Sequence, residues 1–262
     1  MELQLNDTTA FVSGSTQGIG YAVASALAAE GARVILNGRR EESVAAATER
    51  LRRAHPGEHG GLVADFADPA QVERLLDRLG DVDILVNNVG LFGVEAFGSI
   101  TDDEWARYLQ VNLMSGVRLS RRVLPGMLER GWGRIVFVGS ESGVNVPADM
   151  IHYGVTKAAM TALGNGLAKL TRGTAVTVNT VLGGPTYSEG VAAAVESIAA
   201  DRSAPVDAVK AAIIGQNRTT LLERFLEPSE LASLVAYLAS PLASATNGAA
   251  IRADGGVLTG LL

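Results

Sequence analysis

Tyr153 and Lys157 stand four residues apart in the run from His152 to Lys157, and Ser140 lies thirteen residues before the tyrosine, closing an apolar run from Arg134 to Gly139. On a helix, side chains four apart project from one face. An ammonium held beside a phenol favours the phenolate. A group with an ordinary pKa of about 10 is thereby drawn toward neutrality and can exchange protons with an alcohol or a carbonyl. This is acid/base chemistry without a metal. Taken alone, Y-x-x-x-K equally describes two amphipathic residues on a helix surface, so its meaning depends on the elements that surround it.

Composition narrows those elements. The chain has 262 residues, nearly half of them apolar, which suffices for a full core in one large α/β domain. With 22 basic against 28 acidic residues it carries net charge −6, which speaks against nucleic acid or an anionic membrane as partner. The absence of cysteine excludes disulfides, thiolate catalysis and Cys-based metal sites, and is compatible with a cytoplasmic location. No basic segment precedes Arg33, so no signal peptide is expected, and no apolar stretch reaches the roughly 18 residues that span a bilayer. Only Lys157, Lys169 and Lys210 are lysines. In a chain that otherwise favours arginine, a lysine four after the tyrosine is informative, because arginine cannot be tuned near neutrality.

Residues 8 to 36 read as strand, glycine-rich turn, helix and strand, with Gly14, Gly18 and Gly20 spaced G-x-x-x-G-x-G and Ser15 and Ile19 between them. Such a loop lets the backbone approach a pyrophosphate at a helix N-terminus, although a plain tight turn has the same composition. Arg39 and Arg40 follow the second strand where an adenine ribose would lie. No carboxylate stands there for a ribose 2′-hydroxyl, and two guanidinium groups suit a 2′-phosphate, which favours NADP(H) over NAD(H).

Further along, His55 and His59 mimic a metal pair, but Pro56 and Gly57 forbid the intervening helix and a solvated loop is expected. Asp65 closes a short third strand and reads either as a contact to an adenine amino group or as a turn or cap aspartate. Asn87, Asn88 and Gly90 close the next strand with amides able to tie a loop to its neighbours. Thr101 to Glu104 spell a capping box opening a long helix through Asn112, with a kink or end near Pro125. Glu141 stands where a G-x-S-x-G elbow needs serine, so a serine hydrolase is excluded. Strands alternating with helices predict a single α/β domain, a doubly wound parallel sheet of about seven strands with helices on both faces (a Rossmann fold). The 41-residue stretch from Tyr187 to Glu227 interrupts the alternation and is expected to be a substrate lid over residues 187 to 227.

Together these residues resemble the short-chain dehydrogenase/reductase family over about residues 5 to 257, with a tail at Asp254 to Gly256 similar to 3-oxoacyl-carrier-protein reductases. The resemblance implies a catalytic tetrad of Asn112, Ser140, Tyr153 and Lys157. Tyr153 would exchange the proton, Lys157 would lower its pKa and hold the nicotinamide ribose, Ser140 would bind the substrate oxygen, and Asn112 would order a water relay. It further implies an NADP(H) site built from Gly14, Ser15, Gly18, Ile19, Gly20, Arg39, Arg40, Asp65, Asn88, Gly90, Tyr153, Lys157, Gly184 and Thr186. Gly183 departs from the family's first loop proline. The implied activity is hydride transfer between nicotinamide and a small carbonyl or secondary alcohol, by a homotetramer or homodimer joined through the helices at about 102 to 124 and 153 to 170. Leu91, Phe92, Glu141, Met150 and His152 are expected in the substrate wall. The alternative is a non-catalytic dinucleotide-binding regulatory or scaffold protein on the same fold.

Overall fold

The computed structural model describes residues 2–216 and 220–261. In chain order the main elements are β1 (Thr9–Val12), α1 (Gly18–Ala29), β2 (Arg33–Gly38), α2 (Glu41–Ala54), β3 (Gly60–Val63), α3 (Pro69–Arg78) and β4 (Ile84–Asn87). Then come α4 (Asp102–Tyr108), α5 (Met114–Arg130), β5 (Trp132–Ser140), α6 (Ile151–Leu170), β6 (Ala175–Gly183), α7 (Glu189–Asp201), α8 (Val206–Gln216), α9 (Pro228–Ala239) and β7 (Ala250–Ala253). Among the described residues seven strands form one sheet in the order β3-β2-β1-β4-β5-β6-β7, every pair parallel.

The central strands are apolar on both faces, as a sheet covered twice requires. Successive side chains point to opposite sides. Ala10, Val12, Val136 and Val138 therefore pack with Val23, Leu27, Val235 and Leu238 of α1 and α9. Phe11, Ile135 and Phe137 pack with Leu119, Val123 and Met160 of α5 and α6 on the other face. From β1 the chain winds outward to β3, then returns to lay β4 against the free side of β1. That reversal opens a crevice at the carboxyl ends of β1 and β4, where ligands of open α/β sheets bind.

The long helix expected after Thr101 is broken elsewhere than foreseen. Thr101 accepts from the Glu104 amide at 3.2 Å, but Glu104 bonds Arg107 instead of closing a capping box. A π-helical turn, Leu109–Leu113, separates α4 from α5, and α5 runs through Pro125 to end at Gly131 in the left-handed region. Proline is tolerated there, whereas the wide turn reorients Asn112, as such turns do near functional sites. The His55–His59 segment is a loop exposed at Pro56, Gly57 and Glu58, but its imidazoles are engaged. His59 is buried and its Nδ1 accepts the Val34 amide at 3.1 Å, bracing the β2 edge, while His55 Nε2 bonds Ser25 Oγ of α1 at 2.8 Å.

Residues 187–227 form α7 and α8, held by a small core of Val195, Ala199 and Val209 with Tyr187 and Val191; residues 217–219 of that stretch lie outside the described residues. No described helix is long and apolar enough to cross a membrane.

Candidate active site

Gly14 and Gly18 both adopt φ of +60°, a conformation that favours glycine. The Gly14 amide donates to Asn37 Oδ1 at 3.0 Å, and its carbonyl accepts from Asn88 Nδ2 at 2.9 Å. Gly20 is closed to any larger residue, since a Cβ there would run into the Gly14 carbonyl oxygen and Asn88 Nδ2. Asn88 thus welds the β1 loop to the β4 loop. Ser15 is turned inward, its hydroxyl donating to Val12 O at 2.7 Å and accepting from the Asn37 amide at 3.0 Å. It shapes the loop, while Thr16 and Gln17 face the crevice.

The crevice, about 340 Å³, runs over Gly14, Gly38, Asp65, Asn88 and Gly90. Asp65 lines it and also accepts from the Ala67 amide at 2.9 Å, as a turn aspartate does. Beyond Thr16 the groove continues between Arg39, Arg40 and Arg50. Arg50 is pinned, stacked 3.5 Å from the Tyr21 ring centroid and donating to Thr16 O at 3.1 Å. Sequence reasoning missed Arg50. Its signal was the spacing of Ser43, Ala46, Ala47 and Arg50, small residues and a cation on one face of α2.

Candidate catalytic residues line a neighbouring cleft. Ser140 ends β5, and α6 presents Tyr153 and Lys157 one turn apart. With Ile19, Phe92, Met150, Gly184, Pro185 and Thr186, Ser140 and Tyr153 line a cleft of about 280 Å³. Lys157 is buried behind them and donates to Val138 O at 2.8 Å. Asn112 is fully committed: its Oδ1 accepts the Leu91 amide at 2.7 Å, and its Nδ2 donates to Leu91 O and Thr156 Oγ1, each at 3.0 Å. Thr156 in turn bonds the Tyr153 carbonyl at 2.7 Å, so Asn112 ties the β4 loop to the turn that carries the tyrosine.

The Tyr153 phenol is pushed up to about 12, chiefly by burial, with Ser140 drawing it down and the Glu141 carboxylate and Tyr108 raising it. Lys157 is itself lowered to about 8 by burial and stands 5.7 Å from the phenol ring centroid.

Residues 8–199 match the sequence profile of the short chain dehydrogenase family. The chain belongs to that family. It is 44% identical over 260 residues to the uncharacterized oxidoreductase YvaG of Bacillus subtilis (strain 168), covering 98% of each. It is 33% identical over 264 residues to the 3-oxoacyl-(acyl-carrier-protein) reductase FabG of Vibrio cholerae serotype O1, covering 97% of this chain and 99% of that protein. The crystal structure of L-sorbose reductase from Gluconobacter frateurii, complexed with NADPH and L-sorbose, aligns over 100% of both chains with a TM-score of 0.94 at 28% identity.

In this short-chain dehydrogenase the residues present suit a dinucleotide: a glycine cradle with no room for a Cβ at Gly20, a helix N-terminus and a groove ending in three arginines. An anion already stands at that helix start, because Glu189 Oε2 accepts the Gly18 amide at 2.7 Å. Gly184 packs against the Asp254 backbone so closely that a Cβ would collide with it. Thr186 is buried and donates to Gly184 O at 2.9 Å. Gly183 continues β6 in register with Ala253, and Leu226 bonds both Pro185 O and the Tyr187 amide at 2.8 Å. The loop is thus tied down without the family's proline.

Of the residues expected around a substrate, Phe92, Glu141 and Met150 line the cleft, whereas Leu91 lines the neighbouring crevice. His152 does not reach the cleft. It is buried beneath α4, with its ring centroid 4.0 Å from that of Tyr108.

Proposed function

We propose that this protein is an NADP(H)-dependent oxidoreductase that interconverts a small carbonyl compound and the corresponding secondary alcohol. The carrying observation is that Ser140 and Tyr153 line one cleft, neighbouring a crevice that continues to Arg39, Arg40 and Arg50. The NADP preference draws support from those arginines and from NADPH in the L-sorbose reductase complex.

The nicotinamide supplies or takes the hydride when bound. Every other task falls to the chain. A phenol near 12 is protonated at neutral pH and serves as the acid toward a nascent alkoxide. Ser140 donates to the same oxygen as charge develops. Gly90 lines the neighbouring crevice, and Lys157 Nζ lies against the place a Cβ at Gly90 would take, a position from which a lysine would hold a ribose. Asp65, Asn88, Gly184 and Thr186 would complete the cofactor cradle, with Gly14, Gly18, Ile19 and Gly20 at the phosphates. Ser15 would act through the loop's shape.

The segment α7–α8 would serve as lid over the cleft, which Ser188 and Val191 already line. Assembly as a dimer or tetramer would use the outer faces of α5 and α6.

The test is Tyr153→Phe. It should bind NADPH with unchanged affinity by calorimetry while losing at least about a thousandfold of its carbonyl-dependent NADPH oxidation. A wild-type protein that binds NADPH tightly yet turns over no carbonyl from a broad panel would favour the non-catalytic scaffold instead.

A further inference from the structure

Glu141 follows Ser140 at the mouth of the cleft, and its Oε2 collects three donors: Ser140 Oγ at 2.5 Å, Ser142 Oγ at 2.8 Å and the Ser142 amide. Ser140 Oγ in turn accepts the Ser142 amide at 3.1 Å. A serine hydroxyl has one proton to give. Here it is directed at Glu141, although Ser140 also stands close enough to the Tyr153 phenol to draw it down. For Ser140 to hydrogen-bond a substrate oxygen, that proton must leave a carboxylate, which then loses one of its donors.

Among the described residues the rest of the cleft wall carries no cation: Phe92, Met150, Val191 and Leu231 are apolar, Thr186 and Ser188 are neutral hydroxyls, and none is lysine, arginine or histidine. A simple ketone brings no donor and leaves the carboxylate short. An anionic group beside the carbonyl meets a like charge with no cation to offset it. A hydroxyl on the neighbouring carbon resolves both problems, because its own O–H takes the place on Glu141 that Ser140 vacates.

We propose that Glu141 is a specificity-determining residue that selects uncharged α-hydroxyketones, or vicinal diols in the reverse direction, by exchanging the substrate hydroxyl for that of Ser140. This rests on the oxidoreductase reading above. In reduction the carbonyl carbon gains a hydride from the reduced nicotinamide and its oxygen gains the Tyr153 proton, giving a vicinal diol and oxidised cofactor. The phenolate then recovers a proton from solvent. The neighbouring hydroxyl keeps its own proton throughout, donating to Glu141.

Three substrates of matched skeleton separate the possibilities: 1-hydroxy-2-butanone, 3-pentanone, in which methyl replaces the hydroxyl, and 2-oxobutanoate, in which carboxylate replaces the hydroxymethyl group. Wild type should show kcat/KM for the hydroxyketone at least about tenfold above either competitor. Glu141→Leu should bring the ratio to 3-pentanone close to one. Glu141→Gln, nearly isosteric and still able to accept through its amide oxygen, should keep part of that ratio while relieving the discrimination against 2-oxobutanoate.

A purely structural role for Glu141 would lower all three substrates together and leave the ratios alone. Unchanged ratios in both variants, or a wild-type preference for 3-pentanone, overturn the proposal while the oxidoreductase reading stands. Tight NADPH binding with turnover of no carbonyl at all overturns both. Because the Glu141 charge raises Tyr153, Glu141→Gln should also move the rising limb of the diol-oxidation profile to lower pH; an unmoved limb counts against placing this carboxylate beside the reacting groups.

Discussion

Glu189, the first residue of α7, holds the Gly18 amide at the start of α1 with a 2.7 Å hydrogen bond. A helix N-terminus attracts anions through its free amides and dipole, and here the chain supplies the anion from its own α7. A cofactor phosphate on the same amide has to displace that carboxylate.

Glu189→Gln should therefore tighten NADPH binding about two- to fivefold, the factor that corresponds to a charge at an exposed helix end. Calorimetric titration of both proteins at low salt measures it. The gain should shrink at high salt, where the charge is screened. Equal affinities at low salt would show that the carboxylate does not compete.

Lys157 ties the active site to stability. Burial lowers it from 10.5 to about 8, so between those values the unfolded chain binds a proton that the folded chain lacks, and stability rises with pH across that window. Tyr153 acts in the opposite sense, but only above about pH 10, where the unfolded phenol ionises and the folded one, near 12, does not. Between pH 7 and 9.5 the wild type should gain about 1–2 kcal/mol relative to Lys157→Met, read from urea unfolding at both values. A constant difference between the two proteins would show that the ammonium is not desolvated.

The parallel sheet was legible in the sequence because it rests on local signals: apolar runs at strand length alternating with helical stretches, and a glycine spacing after the first strand. What was not legible depends on contacts distant in sequence. Ser15 looks like part of a phosphate loop, yet it faces inward because Asn37, from β2, needs a partner for its amide. His59 looks solvated in a Pro/Gly-rich segment and instead caps the unpaired Val34 amide. The phenol's pKa depends on Glu141 and on the depth of burial, which a Y-x-x-x-K pattern does not encode. Glu189 reaches Gly18 across a separation of 171 residues, and no local pattern points there.

Cofactor choice follows from the arginine groove. Arg39 lines both the crevice and the depression beyond it, so Arg39→Ala should weaken NADPH by about ten- to a hundredfold, the scale of a charge-assisted hydrogen bond, and leave NADH nearly unchanged. Arg50→Ala should act in the same direction and also free Tyr21 from its stacked cation. Dissociation constants for both nucleotides decide the matter; equal losses for NADPH and NADH would exclude a 2′-phosphate at this groove.

Asn112 distinguishes support from chemistry. Its three hydrogen bonds join Leu91 to Thr156, and Thr156 joins them to the Tyr153 carbonyl. Asn112→Ala leaves the Leu91 amide without its partner in a partly buried setting, which costs about 1–3 kcal/mol of stability. The tyrosine turn loses its tie to the β4 loop at the same time, so kcat should fall more than NADPH affinity does. Asn112→Asp should be no rescue, because a carboxylate cannot donate to Leu91 O. Urea unfolding beside single-turnover kinetics checks both parts. An Asn112→Ala protein as stable as wild type would deny the clamp, and a fall in NADPH affinity matching the fall in kcat would place the residue's effect on the cofactor instead of on Tyr153.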